Sequence, residues 1–193
     1  MLTRELIQNY FTNIPTLRTE RLIMRKIEQA DCADMFDYSS QKAVTRYLLW
    51  SPHPTRDYTA RYIDYLSERY TAGDFYDWAL VPHATGRMVG TCGFTRFDFT
   101  NNSAEVGYVL SPSVWGSGYA TEALNAVLDV GFRVLGLHRI EARYLAGNVA
   151  SSHVMARVGM TFEGEFRDAM IVKGRYESVG VFSILRDEYD KRR

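Results

Sequence analysis

The sequence predicts one α/β (α+β) domain, residues 1–193, on a mixed, mostly antiparallel sheet of about seven strands flanked by helices. Three observations lead there. Strand-like and helix-like stretches alternate irregularly, with three consecutive strands in the middle of the chain, which suits an α+β arrangement. A strand–helix–strand crossover occupies 104–145. The chain is also 46% hydrophobic with 23 basic against 23 acidic residues, so it can bury a core and is not a disordered polymer.

Residues 1–17 read as a short helix and an extended lead, and Arg21 to Ile27 as the first strand. Asp31 is placed to cap a helix running to about Tyr38, and Thr55 to cap a second. Tyr58, Tyr62, Ile63, Leu66 and Tyr70 follow Thr55 at helical spacing as one apolar face, which Gly73-Asp74 ends. A meander follows: Phe75–Val81, a turn at 83–86, Met88–Phe97, a turn at Asn101-Asn102, and Ala104–Leu110. Leu124, Val127, Leu128, Phe132 and Leu135 mark a long amphipathic helix. His138–Leu145 is then a strand, Val149–Val158 a helix, and two strands fill most of 160–185.

Zero net charge argues against long nucleic acid or a membrane surface as the main partner, since either rewards a basic excess. Cys32 and Cys92 form no disulfide framework, and no cysteine or histidine has ligand spacing, so no metal is expected. Cys92 reads as a buried apolar residue. The first residues lack the apolar core of a signal peptide, and no window is apolar enough to span a bilayer, so a cytoplasmic setting is expected.

Chemistry concentrates in Ser111 to Ala123, between a strand and the strongest helix. A glycine-rich strand-to-helix turn exposes backbone N–H groups at the positive end of a helix dipole, which suits phosphate. An ordinary tight turn would use the same glycines. The lysine of a P-loop is absent, and Thr121 stands where a dinucleotide fingerprint needs its third glycine, although Glu141 lies about 20 residues on.

The stretch Trp115-Gly116-Ser117-Gly118-Tyr119-Ala120 resembles the coenzyme A loop of GNAT acetyltransferases, Arg/Gln-x-x-Gly-x-Gly/Ala. Trp115 at the usually polar first position, followed by Thr121-Glu122-Ala123, is similar to the ribosomal-protein N-alpha-acetyltransferase (RimJ/RimL-like) branch. Leu137 to Ala142, Asn148-x-x-Ser151, Val158-Gly159-Met160, Glu163-Gly164 and Arg167 extend the likeness over roughly 18–187.

The resemblance implies acetyl transfer from acetyl-CoA directly to an amine. Backbone donors of Gly116 to Thr121 would hold the pyrophosphate, and a backbone N–H of Val109 or Leu110 would polarise the thioester carbonyl. Glu105 shares a strand face with Gly107 and Val109 and is the first candidate base, or else an ordinary strand carboxylate. The tyrosine that many GNAT enzymes use as acid is Met155 here, so Ser151 is the candidate thiolate partner, or a helix-packing serine. Asn148 is a helix cap, a pantetheine ligand or both, and Arg157 a phosphate ligand or a solvated arginine. Trp50, His53 and Tyr62 belong to the loop and helix that form the acceptor wall in this branch.

Four readings follow. A protein N-terminal alpha-amine, of the ribosomal-protein alanine type, is the first acceptor. A small amine such as a polyamine, amino acid or antibiotic is the second. A non-catalytic acetyl-CoA-binding module and a nicotinamide enzyme are the others. A protein acceptor predicts an open groove, and a small amine a closed pocket lined with acids. Members of the family often pair as homodimers.

Overall fold

The computed structural model describes residues 2–192; Met1 and Arg193, the outer limits of the expected domain, lie outside the described residues. One eight-stranded sheet, ordered β1-β2-β3-β4-β5-β6-β8-β7, organises the chain. Its strands are β1 (Leu17–Arg18), β2 (Leu22–Arg25), β3 (Asp77–Pro82), β4 (Gly90–Asp98), β5 (Ser103–Leu110), β6 (Arg139–Leu145), β7 (Thr161–Val172) and β8 (Arg175–Leu185). All neighbours are antiparallel except β5 and β6, the two strands joined by the 104–145 crossover. The expectation of about seven strands missed β1, a two-residue edge strand too short to leave a period.

Helices cover both faces: α1 (Arg4–Thr12), α2 (Cys32–Ser39), α3 (Lys42–Thr45), α4 (Arg56–Ala72), α5 (Tyr119–Asp129), α6 (Val149–Arg157) and α7 (Arg186–Asp190). One core layer packs α1 and α5 on the sheet around Phe11, Trp78, Phe94, Leu124 and Leu128. The other packs α2 and α4 on the opposite face around Met35, Tyr38, Ile63, Leu66 and Ala79.

Several expected boundaries move for identifiable reasons. The first strand shortens to Leu22–Arg25, because the Ile27 N–H donates to the Tyr70 hydroxyl (3.3 Å) instead of a strand. Asp31 stands at the N-cap position of α2 but makes no cap bond there. Its carboxylate accepts two bonds from the Arg25 guanidinium (2.7 and 2.8 Å) and one from the Glu28 N–H (2.9 Å). A buried acid takes a full countercharge over a helix amide. Thr55 does cap α4, accepting from the Tyr58 N–H at 3.1 Å. On α4 the expected apolar face splits: Ile63, Leu66 and Tyr70 are buried, whereas Tyr58 and Tyr62 are exposed. The helix of 119–135 is α-helical only to Asp129 and closes with a π turn over Val130–Val134. Its five expected core residues are all buried.

What positions the site is the short parallel contact. β5 and β6 pair only from Ser103↔Arg139 to Val106↔Ala142. Beyond that point β5 stays with β4 to Leu110, and β6 stays with β8 to Leu145. The two central strands diverge and open a cleft in the middle of the sheet.

Candidate active site

The cleft's first wall is the end of β5. The Ser111 N–H donates to the Val89 carbonyl at 2.7 Å, continuing the β4–β5 ladder in which Val109 faces Thr91 and Leu110 faces Gly90. Bonded and non-bonded pairs alternate in an antiparallel ladder. The Val109 N–H therefore points to β4, and those of Tyr108 and Leu110 point to the open side. Of the two expected carbonyl donors, Leu110 has the geometry. Trp115 folds back on this strand end, its indole N–H donating to the Leu110 carbonyl at 2.9 Å.

The glycine loop follows directly. Gly116 (φ +77°) and Gly118 (φ +86°) are left-handed, a conformation that a side chain disfavours. Gly118 occupies the N-cap position of α5 and provides no side-chain cap, so the first-turn amides of Tyr119, Ala120 and Thr121 are left for a ligand. Ser117 is spent locally, its N–H and hydroxyl both directed to the Val114 carbonyl. An uncharged turn of this kind fits a pyrophosphate.

A charge does stand beside the loop, on a residue far from it in sequence. Arg21 donates to the Ser117 carbonyl (2.8 Å) and to the Glu122 carboxylate (2.7 Å), and its guanidinium lies over the Tyr119 ring at 4.7 Å. Glu122 also accepts from the Thr19 hydroxyl (2.5 Å) and the Arg21 N–H (2.7 Å). Burial alone would raise the Glu122 carboxyl, but these donors outweigh it and hold its pKa below the ordinary carboxylate range. Loop and β2 are thereby locked together. Only long-range contact reveals this, since about a hundred residues separate the partners.

The second wall is α6. Asn148 caps it, accepting from the Ser151 N–H (3.4 Å) and donating to the Ser151 hydroxyl oxygen (2.9 Å). That leaves the half-buried hydroxyl its own proton to donate elsewhere. The Tyr108 hydroxyl donates to the Ser151 carbonyl at 3.0 Å, tying β5 to α6. Met155 is buried core, and Arg157 is exposed on the outer side of α6.

Next to Val109 opens a cavity of about 480 Å³ between the sheet, α2, α4 and the 50–54 loop. Trp50, His53 and Tyr62 all line it. His53 is its hub: the ring sits 4.9 Å from Tyr58, 5.4 Å from Tyr62 and 5.4 Å from Trp50, with Nδ1 2.8 Å from the Thr59 hydroxyl. Burial lowers the His53 pKa, so the ring is neutral at pH 7.

Among the described residues Asp77 is the cavity's one carboxylate, and nothing in the sequence marks it out. It opens β3 opposite Gly93, which in turn faces Gly107 across β4. Two glycines in that row clear the carboxyl's path toward the cleft; a Cβ on Gly93 would lie 2.5 Å from Asp77 Oδ1. Burial pushes the Asp77 pKa up to about 7, and a hydrogen bond with Thr91 only partly offsets this. Its neighbours carry no opposing charge: burial raises the Tyr38 and Tyr62 phenols and the Cys92 thiol, so all three stay protonated.

Glu105, the expected base, is not brought to this cavity. It does share the face of Gly107 and Val109, but it lies past Gly107, opposite Arg96 and beside Glu141 where β5 and β6 still pair. There Arg143 (3.4 Å) and Arg96 (3.7 Å) answer its charge. Face was readable from alternation; position along the face depended on the register of three strands.

Residues 21–161 match the acetyltransferase (GNAT) domain family. The chain belongs to the GNAT acetyltransferases. It is 35% identical to an uncharacterized N-acetyltransferase, p20, of Bacillus licheniformis over 90% of this chain and 98% of that protein. At lower identity it is similar to the [ribosomal protein uS5]-alanine N-acetyltransferase of Escherichia coli (26%; 86% of this chain and 90% of that one). It is also similar to the spermidine N(1)-acetyltransferase of Vibrio cholerae (23%; 88% and 95%). A GNAT acetyltransferase structure from Bacillus anthracis superposes with TM-score 0.80 at 28% identity, covering 90% of this chain and all of that one. GNAT enzymes use acetyl-CoA as acetyl donor and an amine as acceptor. No helix among the described residues is long and apolar enough to cross a membrane, and no group of three His, Cys, Asp or Glu side chains there could hold a metal ion.

Gly118→Val tests the loop. Its Cβ would meet Arg21 Nη2 at 3.3 Å, and its φ would cost a β-branched residue about 1–2 kcal/mol. Acetyl-CoA affinity by calorimetry should fall at least about tenfold while far-UV circular dichroism is unchanged. Wild-type affinity would remove the loop from the binding site.

Proposed function

We propose that this GNAT enzyme acetylates the primary amine of a small molecule held in the aromatic cavity, with Asp77 as the proton acceptor. The observation that carries the reading is a lone half-buried carboxylate, lining a cavity that opens beside Val109 at the strand divergence. Acetyl-CoA supplies the acetyl thioester: the ammonium first gives one proton to Asp77, a C–N bond then forms as the C–S bond breaks, and the second proton lost by the nitrogen balances the one the thiolate gains by way of Ser151.

The chain's residues divide that work. Gly116 to Thr121 hold the pyrophosphate with backbone amides and the α5 dipole. Arg21 and Glu122 fix the loop, and Asn148 lines the pantetheine path while capping α6. The Leu110 N–H stands where a developing oxyanion is stabilised. Asp77 draws the cationic amine in and takes its proton. Ser151, its oxygen already accepting from Asn148, directs its proton to the departing sulfur. Glu105 and Arg157 have no part in this scheme.

The second reading is a protein N-terminal alpha-amine. Likeness to the uS5-alanine enzyme supports it, with Trp50, His53 and Tyr62 then contacting the first residue of the acceptor chain. Thiol release with peptides beginning in Ala or Ser, set against small amines, separates the two.

Asp77→Asn should lower kcat by about 10²–10⁴-fold with acetyl-CoA affinity unchanged. The sign of the pH dependence follows from the carboxylate being the active form. Wild-type kcat/KM should fall as pH drops through about 7 and level off above it, and the variant should lose that limb. A retained limb would assign the base elsewhere. Ser151→Ala should slow turnover about tenfold and leave acetyl-CoA affinity within twofold; equal losses of both would make Ser151 structural.

A further inference from the structure

The cavity also constrains what kind of amine enters it, an inference that rests on the acetyl-transfer reading above. Tyr38, Trp50, Tyr58, Tyr62 and Phe75 supply five of its sixteen lining residues, and among the described residues neither Lys nor Arg lines it. Among the described residues its only acid is Asp77, at the sheet side. His53 is held by Thr59 among three rings and brings no charge.

An acceptor's first ammonium thus has one carboxylate to meet, with aromatic faces beside it that favour a cation. A second ammonium held inside the cavity would find no counter-ion there, which disfavours polyamines and multiply charged antibiotics. An acceptor peptide would bring several backbone N–H and C=O groups, each needing a partner from the few hydroxyl, indole and imidazole groups of the wall.

An independent observation marks a second polar point on the cavity wall. Ser39 is 1% exposed and lines the same cavity, and its hydroxyl has no hydrogen-bond partner among the described residues. Buried hydroxyls are almost always paired, so an orphan on a cavity wall points to a group that a ligand supplies. Its backbone is well held, the Ser39 carbonyl accepting from the His53 N–H at 3.1 Å.

We propose that the natural acceptor is a primary monoamine on an apolar, ring-bearing body that also carries a neutral hydrogen-bonding group. The ammonium meets Asp77, the body lies among Trp50, Tyr58 and Tyr62, and the neutral group pairs with the Ser39 hydroxyl.

The test uses four acceptors with the whole enzyme and acetyl-CoA: tyramine, 2-phenylethylamine, spermidine and an Ala-initiated tripeptide. Tyramine and 2-phenylethylamine should exceed the other two in kcat/KM by at least about tenfold, with tyramine ahead of its deoxy analogue. Ser39→Ala should cut tyramine about fivefold, the worth of one neutral hydrogen bond, and spare 2-phenylethylamine. Calorimetric binding of tyramine to the enzyme loaded with CoA should show the same loss, independently of turnover. Preference for spermidine or the tripeptide, or equal effects of Ser39→Ala on both aromatic amines, would overturn the proposal while leaving acetyl transfer intact. Failure to bind acetyl-CoA, or no thiol release with any of the four, would overturn the acetyl-transfer reading and this proposal together.

Discussion

Everything in the proposed site depends on two parallel strands that stop pairing after Val106↔Ala142. A continuous sheet would spend the amides of Tyr108 and Leu110 on β6 and bring α6 against β5. Divergence leaves those amides unspent, and backbone donors already fixed by the β4–β5 ladder cost little to orient at the moment of reaction. The Tyr108 hydroxyl holds α6 at its distance by bonding the Ser151 carbonyl. The glycine loop and the cavity both adjoin the end of β5, which brings the proposed phosphate cradle, the proposed oxyanion donor and a carboxylate to the same region.

Charge is handled in opposite ways at the two ends of that gap. At the loop, the binding surface is uncharged backbone, and the nearby guanidinium of Arg21 is occupied in bracing Ser117 and Glu122. In the cavity, one carboxylate sits among protonated phenols, so burial rather than a partner sets its behaviour. The chain's neutrality is compatible with both, because neither site relies on an excess of one charge. Glu105 shows the contrast: on the same sheet face, two arginines turn an acid into part of an ion-pair cluster.

Much of this was legible in the sequence because it is local. The glycine loop, the α5 core stripe, the Thr55 cap and the Asn148–Ser151 pair rest on residues within about a dozen positions of one another. The loop's motif also carried the family. Asp77 was not legible, since it begins an ordinary strand and its neighbours come from α2, α4 and the 50–54 loop. Arg21 escaped notice for the same reason, its partners lying across the sheet. For Tyr58 and Tyr62, helical spacing suggested core positions, but the cavity beside α4 left them as its walls.

The direct measurement of the central claim is residue-resolved amide hydrogen exchange with and without acetyl-CoA. The Tyr108 and Leu110 amides, which face the cleft, should become protected on binding. The Val109 amide, already committed to β4, should keep its rate. Protection confined to Val109, or no change along 108–110, would contradict the claim that the strand divergence is the donor's binding cleft.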